Sequence, residues 1–436
     1  MITTKYGKIS GVDCGSYTEY RSIPYAKPPI GELRWKAPQE PEGWEGVLEA
    51  TEYKARCMEA PMVQRPPYST DFYDDPSFDR PMSEDCLYLH IWAPNAGENL
   101  PVAFWIHGGA FLGGYATEKE FDGKAYCDRG VILVSVDYRC NIFGFFAHPW
   151  LSEEQGGRSG NYGILDQIAA LRWVRENIAA FGGDPENITI FGQSAGAMSV
   201  QTLVSSPLTE GMIAKAILQS GGSYGSGLHR DIPMEQQYGY GEVFVEIAGA
   251  SSLEELRAMS AERIVDALAE FTPRMFARGE GLVMCPTMDG AVLEDGYYAL
   301  MDQGKLRDIP YMLGSTKDDI LVTPEMREKG TFSPLYEGIN AFSRKLEELG
   351  RKPAYVYYFT RDLPGDDLGA WHSCELEYSF GTLDRVWRPW EQRDYDLSAR
   401  MLDYWTNFMK TGDPNGEGLP LWEPHSKANP AIMELK

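Results

Sequence analysis

Residues 187–200 read NITIFGQSAGAMSV, and the fold turns on how this stretch is read. Its first half, ITIF, is an unbroken apolar run of strand length and β-rich composition. From Ala195 onward, SAGAMSVQTLVSS predicts a helix halted by Pro207. Ser194 therefore falls at the strand-to-helix turn, between Gly192 and Gly196, which leave room for a strained backbone and close packing. Such a turn can raise a serine hydroxyl above the carboxyl end of a sheet as a nucleophile. A tight turn with a bystander serine carries the same pentapeptide. The choice depends on whether the chain also supplies a base, an acid and oxyanion donors.

Outward from this turn, similar apolar runs recur at 101–109, 130–139, 214–222, 309–319 and 353–361. Most are unbroken rather than alternating, as strands buried on both faces of a parallel sheet are. Helical patterns lie between them. Ile164, Ile168, Leu171, Val174 and Ile178 share one face before Gly182, and Met401, Trp405 and Phe408 do so before Gly412. This alternation predicts an α/β fold with a mainly parallel, doubly wound sheet. No repeat or long linker interrupts it, so residues 1–436 are read as one domain. The segment at about 225–300 differs: it is helix-rich, including SLEELRAMSAERIVDALAEF, and is expected to be a cap-like insertion over the sheet's carboxyl edge.

Composition narrows the function. With 43% hydrophobic and 12% aromatic residues the chain is a well-packed globular protein. Its formal charge of −24 repels nucleic acid and anionic membrane surfaces, so neither is expected as a partner. The start, MITTKYGKISGV, lacks a signal-peptide pattern, and no apolar run reaches membrane-span length, which predicts a cytoplasmic protein. The seven cysteines (14, 57, 86, 127, 140, 285 and 374) contain no C-x-x-C pair, arguing against a zinc ribbon or thioredoxin-like site.

The remaining chemistry is spread along the chain. WIHGGAFLGG at 105–114 follows a strand, and Gly108 and Gly109 can join Ala195 in presenting backbone N–H groups to a substrate oxygen. Phe111, Leu112 and Tyr115 after these glycines are candidate pocket residues. Of six histidines, only His372 and His425 leave room for an acid in the order serine, acid, histidine. His425 sits in the polar near-terminal WEPHSKANP and reads as a surface residue, which leaves His372 as the base. The acid should end the strand in PYMLGSTKDD; Asp318 and Asp319 fit equally on spacing.

Taken together, these stretches resemble the type B carboxylesterase (cholinesterase-like) family of α/β hydrolases, bacterial members above all. The likeness runs from YRSIPYAKPPIGELRWKAP through SEDCLYLHIWAP, HGGAFLGG, VDYRCNIFGFF and LQSGG to YWTNFMKTGDPNGEGLPLW. It implies an α/β-hydrolase fold with Ser194 as nucleophile, His372 as base and Gly108, Gly109 and Ala195 as oxyanion donors. Aligning GSTKDDI with the family's Gly-x-x-x-Asp-Glu-Gly motif implies Asp319 as the acid. Ser220 matches a serine that supports the triad, and Cys57 and Cys86 match the family's first disulfide loop. This chain departs from the pattern at Asp319 and Ile320, in place of Glu and Gly, and at Gln193, in place of Glu.

The reading that follows is a serine carboxylesterase working through an acyl-enzyme, with small to medium neutral esters as substrates and no metal or organic cofactor. An amidase, carbamate hydrolase, thioesterase or acyl transferase would use the same triad. A non-catalytic cholinesterase-like binding protein would share the scaffold but would be expected to lack the nucleophile or base.

Overall fold

The computed structural model describes residues 1–61 and 65–436. Three short strands, β1 (Ile2–Thr4), β2 (Gly7–Ser10) and β5 (Val47–Glu49), form a small sheet near the amino terminus. The main sheet holds β3 (Val12–Asp13), β4 (Tyr17–Pro24), β6 (Tyr88–Pro94), β7 (Leu100–Ile106), β8 (Ile132–Val136), β9 (Gly183–Gln193), β10 (Lys215–Gln219), β11 (Tyr311–Thr316), β12 (Tyr355–Phe359) and β13 (Met433–Leu435). Their spatial order is β13-β12-β11-β10-β9-β7-β8-β6-β4-β3. From β13 to β8 every pairing is parallel, and from β8 to β3 every pairing is antiparallel.

The parallel half behaves as its composition requires. β7, β8, β10 and β11 are buried along nearly their whole length, because helices cover both faces. Successive side chains therefore enter two cores. Phe104, Val134, Ile190 and Leu218 point to one face, packed with the helices Tyr162–Asn177 and Ala195–Ser205. Trp105, Leu133, Phe191 and Ile217 point to the other, against the helix Gln392–Thr411. That last helix starts with a capping box from Glu391 and Asp394 and stops at Gly412, left-handed at φ 82°.

Between β10 and β11 the chain forms four helices joined by loops and no strand. The SLEELRAMSAERIVDALAEF stretch is two helices, Leu253–Ala258 and Ala261–Ala277, because Ser260 caps the second by accepting from the Arg263 N–H. The helix Met234–Ala248 packs on the second of these, and Gln237 donates to the Phe145 and Val283 carbonyls. Asn161, just before the helix Tyr162–Asn177, holds the 287 backbone at both N–H and C=O. These contacts lie on the side of the sheet where β8 ends.

Two local expectations are corrected. His425 is buried, 4% exposed, and its N–H donates to the Ala354 carbonyl at the start of β12. Its burial comes with packing against the helix Pro334–Glu348, where Nδ1 meets Ser343 Oγ at 2.9 Å, a contact that the polar local sequence could not reveal. Phe111 is fully buried, edge-on to Phe145 at 5.0 Å, and so belongs to the core rather than to a pocket wall.

Candidate active site

The site begins with backbone strain. Ser194 sits at φ 57°, ψ −123°, between the end of β9 and the first turn of the helix Ala195–Ser205. A non-glycine residue held there costs on the order of 1–3 kcal/mol, which the surrounding packing must offset. The glycines around it make the offset feasible. A side chain on Gly196 would stand 2.1 Å from the Ile106 carbonyl oxygen, and one on Gly221 would stand 2.2 Å from that of Ser194. The Ser194 N–H is fixed by the Gln219 carbonyl at 2.9 Å. Ala195, the first helical residue, has an N–H with no carbonyl of its own helix to reach.

The Gly-rich loop after β7 comes against this turn. A Cβ on Gly108 would lie 3.3 Å from the Ser194 Cβ and 2.9 Å from the Gln193 carbonyl oxygen. Gly109 is at φ 97°, and its carbonyl accepts from the Leu112 and Gly113 N–H groups. His107 braces the loop from below: its Nδ1 donates to the Gly108 carbonyl at 2.9 Å, and its ring stacks on Tyr138 at 4.4 Å. Burial drives the His107 pKa down, so it serves as a neutral strut. Asn141 ties the far side of the loop by donating to the Met58 and Leu112 carbonyls. Leu112 is half-buried, and Tyr115 lines a 380 Å³ cleft with Glu59, Tyr73 and Glu118.

The two aspartates that spacing left equal have different partners. Asp319 Oδ1 accepts from His372 Nδ1 in a short contact and from the Ile320 N–H, while Oδ2 takes the Thr316 N–H at 3.2 Å. Asp318 spends its carboxylate on Arg327 Nε at 2.8 Å and the Ala370 N–H at 3.0 Å. Both carboxyls are buried, but only that of Asp319 touches the imidazole.

His372 is 7% exposed. Burial alone would lower its pKa, but the charge and hydrogen bond of Asp319, with Glu375 nearby, raise it above the ordinary histidine value. With the Nδ1 proton held by Asp319, Nε2 is the basic nitrogen. Its partner in this arrangement is the Gln193 amide at 3.2 Å; Ser194 Oγ makes no hydrogen bond to the ring. Gln193 Oε1 would in turn lie 3.3 Å from a Cβ on Gly108. The amide thus lies between the imidazole and the Gly-rich loop. Sequence reading noted Gln193 as a departure but not this contact.

Several buried polar groups stand without partners among the described residues. Both Glu375 carboxylate oxygens, Ser220 Oγ and Tyr357 OH are buried without hydrogen-bond partners among the described residues. Burial, helped by the Asp319 charge, pushes the Glu375 pKa up to about 7. Ser220 itself sits at φ 50°, with its N–H on the Gly314 carbonyl at 2.8 Å. The structure also joins Cys57 and Cys86 in a disulfide, closing the segment that carries the helix Tyr68–Asp71. From that helix Tyr68 OH donates to the His372 carbonyl at 3.2 Å. No group of histidine, cysteine and carboxylate side chains able to hold a metal ion is found among the described residues.

A sequence profile described as the carboxylesterase family matches this chain over residues 1–337 and 333–436. The para-nitrobenzyl esterase of Bacillus subtilis (strain 168) is 34% identical over 466 aligned positions, which cover 96% of this chain and 91% of that protein. Among solved structures, a thermophilic PNB esterase matches with a TM-score of 0.86 at 32% identity, over 100% of this chain and 95% of that one. A carboxylesterase of Geobacillus stearothermophilus matches with a TM-score of 0.81 at 32% identity over the same shares.

Proposed function

The chain belongs to the carboxylesterase family, whose α/β-hydrolase fold and serine ester-hydrolase activity it shares, and we propose that Ser194, His372 and Asp319 carry that activity. The observation that carries the assignment is the His372–Asp319 hydrogen bond, made beside a serine in a strained turn between strand and helix. In the proposed reaction, Gln193 turns aside and His372 Nε2 takes the Ser194 proton as Oγ attacks the ester carbonyl. N–H groups of Gly108, Gly109 and Ala195 hold the developing oxyanion; losing one such donor costs about 2.7–4 kcal/mol of transition-state stabilisation. The imidazolium, stabilised by Asp319, returns the proton to the leaving alcohol. Water then attacks the acyl-enzyme with His372 again as base, so side chains and backbone suffice for every step.

Small to medium neutral esters are the proposed substrates. The name of the Bacillus relative, which speaks of para-nitrobenzyl esters, supports placing aromatic esters among the first trials. Residues 1–436 are proposed as one catalytic domain with the helical segment at about 225–300 as its cover. A cytoplasmic location is proposed as well, although the Cys57–Cys86 disulfide pulls against it, since reducing compartments keep such pairs open. Thiol titration of protein taken directly from cells tests that point.

The catalytic assignment is tested with an organophosphate label and short-chain p-nitrophenyl esters. Wild type should be labelled once per chain and turn the esters over. Ser194→Ala should do neither while keeping its far-UV circular dichroism. Labelling that survives in Ser194→Ala would assign the nucleophile elsewhere. Rates on matched ester, amide and thioester substrates rank the acyl acceptors.

A further inference from the structure

The base and the acid come from loops that leave neighbouring strands. Asp319 follows β11 by three residues, whereas His372 lies beyond the long connection 360–371 after β12. The two strands are in register up to Thr316 and Phe359, and one more backbone bond, Lys317 N–H to the Phe359 carbonyl, extends the pairing. Past that point the ladder ends, and a loop of such length has no intrinsic reason to place its imidazole to within a fraction of an ångström.

Beside the Tyr68 hydroxyl on the His372 carbonyl, Asp318 supplies a second constraint, one that reaches from the Asp319 loop itself. Its N–H donates to the Ala370 carbonyl at 2.9 Å, and its Oδ2 accepts the Ala370 N–H at 3.0 Å, so one residue grips both polar groups of another. Asp318 and Trp371 form an isolated parallel bridge at the same place. The carboxylate is only 4% exposed, and Arg327 Nε holds its other oxygen at 2.8 Å. Gly369 makes the close approach feasible: at φ +73°, a Cβ there would stand 2.2 Å from Asp318 Oδ2. The gripped residue is two positions from His372, and the gripping residue is adjacent to Asp319.

We propose that Asp318 is a positioning residue that clamps the His372 loop to the Asp319 loop and so sets the hydrogen bond between base and acid. The proposal rests on the catalytic assignment above. Asp318 touches neither substrate nor imidazole; it acts through the backbone at 370–371. Arg327 keeps the carboxylate turned toward Ala370, and Gly369 leaves room for it.

The test measures kcat, KM and the pH dependence of kcat for p-nitrophenyl butyrate, with organophosphate titration of active sites, in full-length variants. In Asp318→Ala, kcat should fall by about tenfold to a hundredfold with KM within about twofold of wild type. The acid limb of its pH profile should move to lower pH, toward that of Asp319→Ala, because the imidazolium loses its held carboxylate. Asp318→Asn keeps an oxygen for the Ala370 N–H and should recover most of kcat and the original limb. A well-folded Asp318→Ala with an unmoved limb overturns the proposal, as does an equal loss in Ala and Asn. If Asp318→Ala does not fold, Gly369→Ala carries the test: its Cβ displaces the same carboxylate, and a limb that stays in place overturns the proposal. A different result, an active Asp319→Ala beside a dead Asp318→Asn, overturns the catalytic assignment itself by making Asp318 the acid.

Discussion

Three side chains at the site respond to pH or charge in ways that can be measured one at a time. Asp319→Asn leaves the shape intact but no longer fixes the Nδ1 proton or the imidazolium, and should cut kcat by about 10³- to 10⁴-fold. Gln193→Glu places an anion on His372 Nε2 where a neutral amide now sits. The His372 pKa, already raised by Asp319, should rise further, so the acid limb of kcat/KM should move up by about one pH unit and activity at neutral pH should drop. Glu375 bears on stability as well. Its pKa rises from 4.5 to about 7 on folding, so the native state keeps a proton that the unfolded chain releases. The resulting stabilisation is complete below the unfolded value and is lost as pH climbs from about 4.5 to 7, roughly 3 kcal/mol in all. Glu375→Gln, neutral at every pH, should flatten the fall of Tm across that window and raise Tm at pH 8. At this scale the sequence pointed to Ser194 by its glycine flanks and to His372 by elimination, the two residues to which the proposed reaction gives the nucleophile and the base. Asp319 was not separable from Asp318 by spacing, because adjacent residues differ only in which way the loop turns them.

The elements around the site were legible wherever an apolar run or a helical face was long. ITIF and its following helix, the face from Ile164 to Val174 and the helix closed by Gly412 all formed. The motif implied close packing at Gly196, and local pattern hid only what it packs against. Gly196 lies in the first turn of a helix, where glycine is ordinarily unfavourable, yet a Cβ there would stand only 2.1 Å from the Ile106 carbonyl oxygen. Gly196→Ala should therefore destabilise rather than stabilise, by about 3 kcal/mol or more in urea unfolding, with activity lost alongside. The same substitution on an open helix face would gain about 1 kcal/mol. The split of 252–271 into two helices was likewise hidden, since the apolar spacing continues across the Ser260 cap.

Across the whole molecule, contacts remote in sequence decide how firmly the site is held. The disulfide closes a loop of 29 residues and brings the helix Tyr68–Asp71 against the His372 backbone. Loop closure of that size contributes about 3–4 kcal/mol, so Cys57→Ala or added dithiothreitol should lower Tm measurably. No helix among the described residues is long and apolar enough to cross a membrane. The sequence by itself determined the alternation of strands and helices, the placement of Ser194 at a turn and the family likeness, because these reside in local periodicity and in motifs a few residues long. Tertiary structure decided, where spacing could not, which aspartate meets His372, and it alone showed that Gln193 rests on the imidazole, that Phe111 and His425 are buried, and that Asp318 joins two loops. Each of those depends on distances between segments far apart in the chain. Such distances are set only when the sheet has formed and its cores have packed.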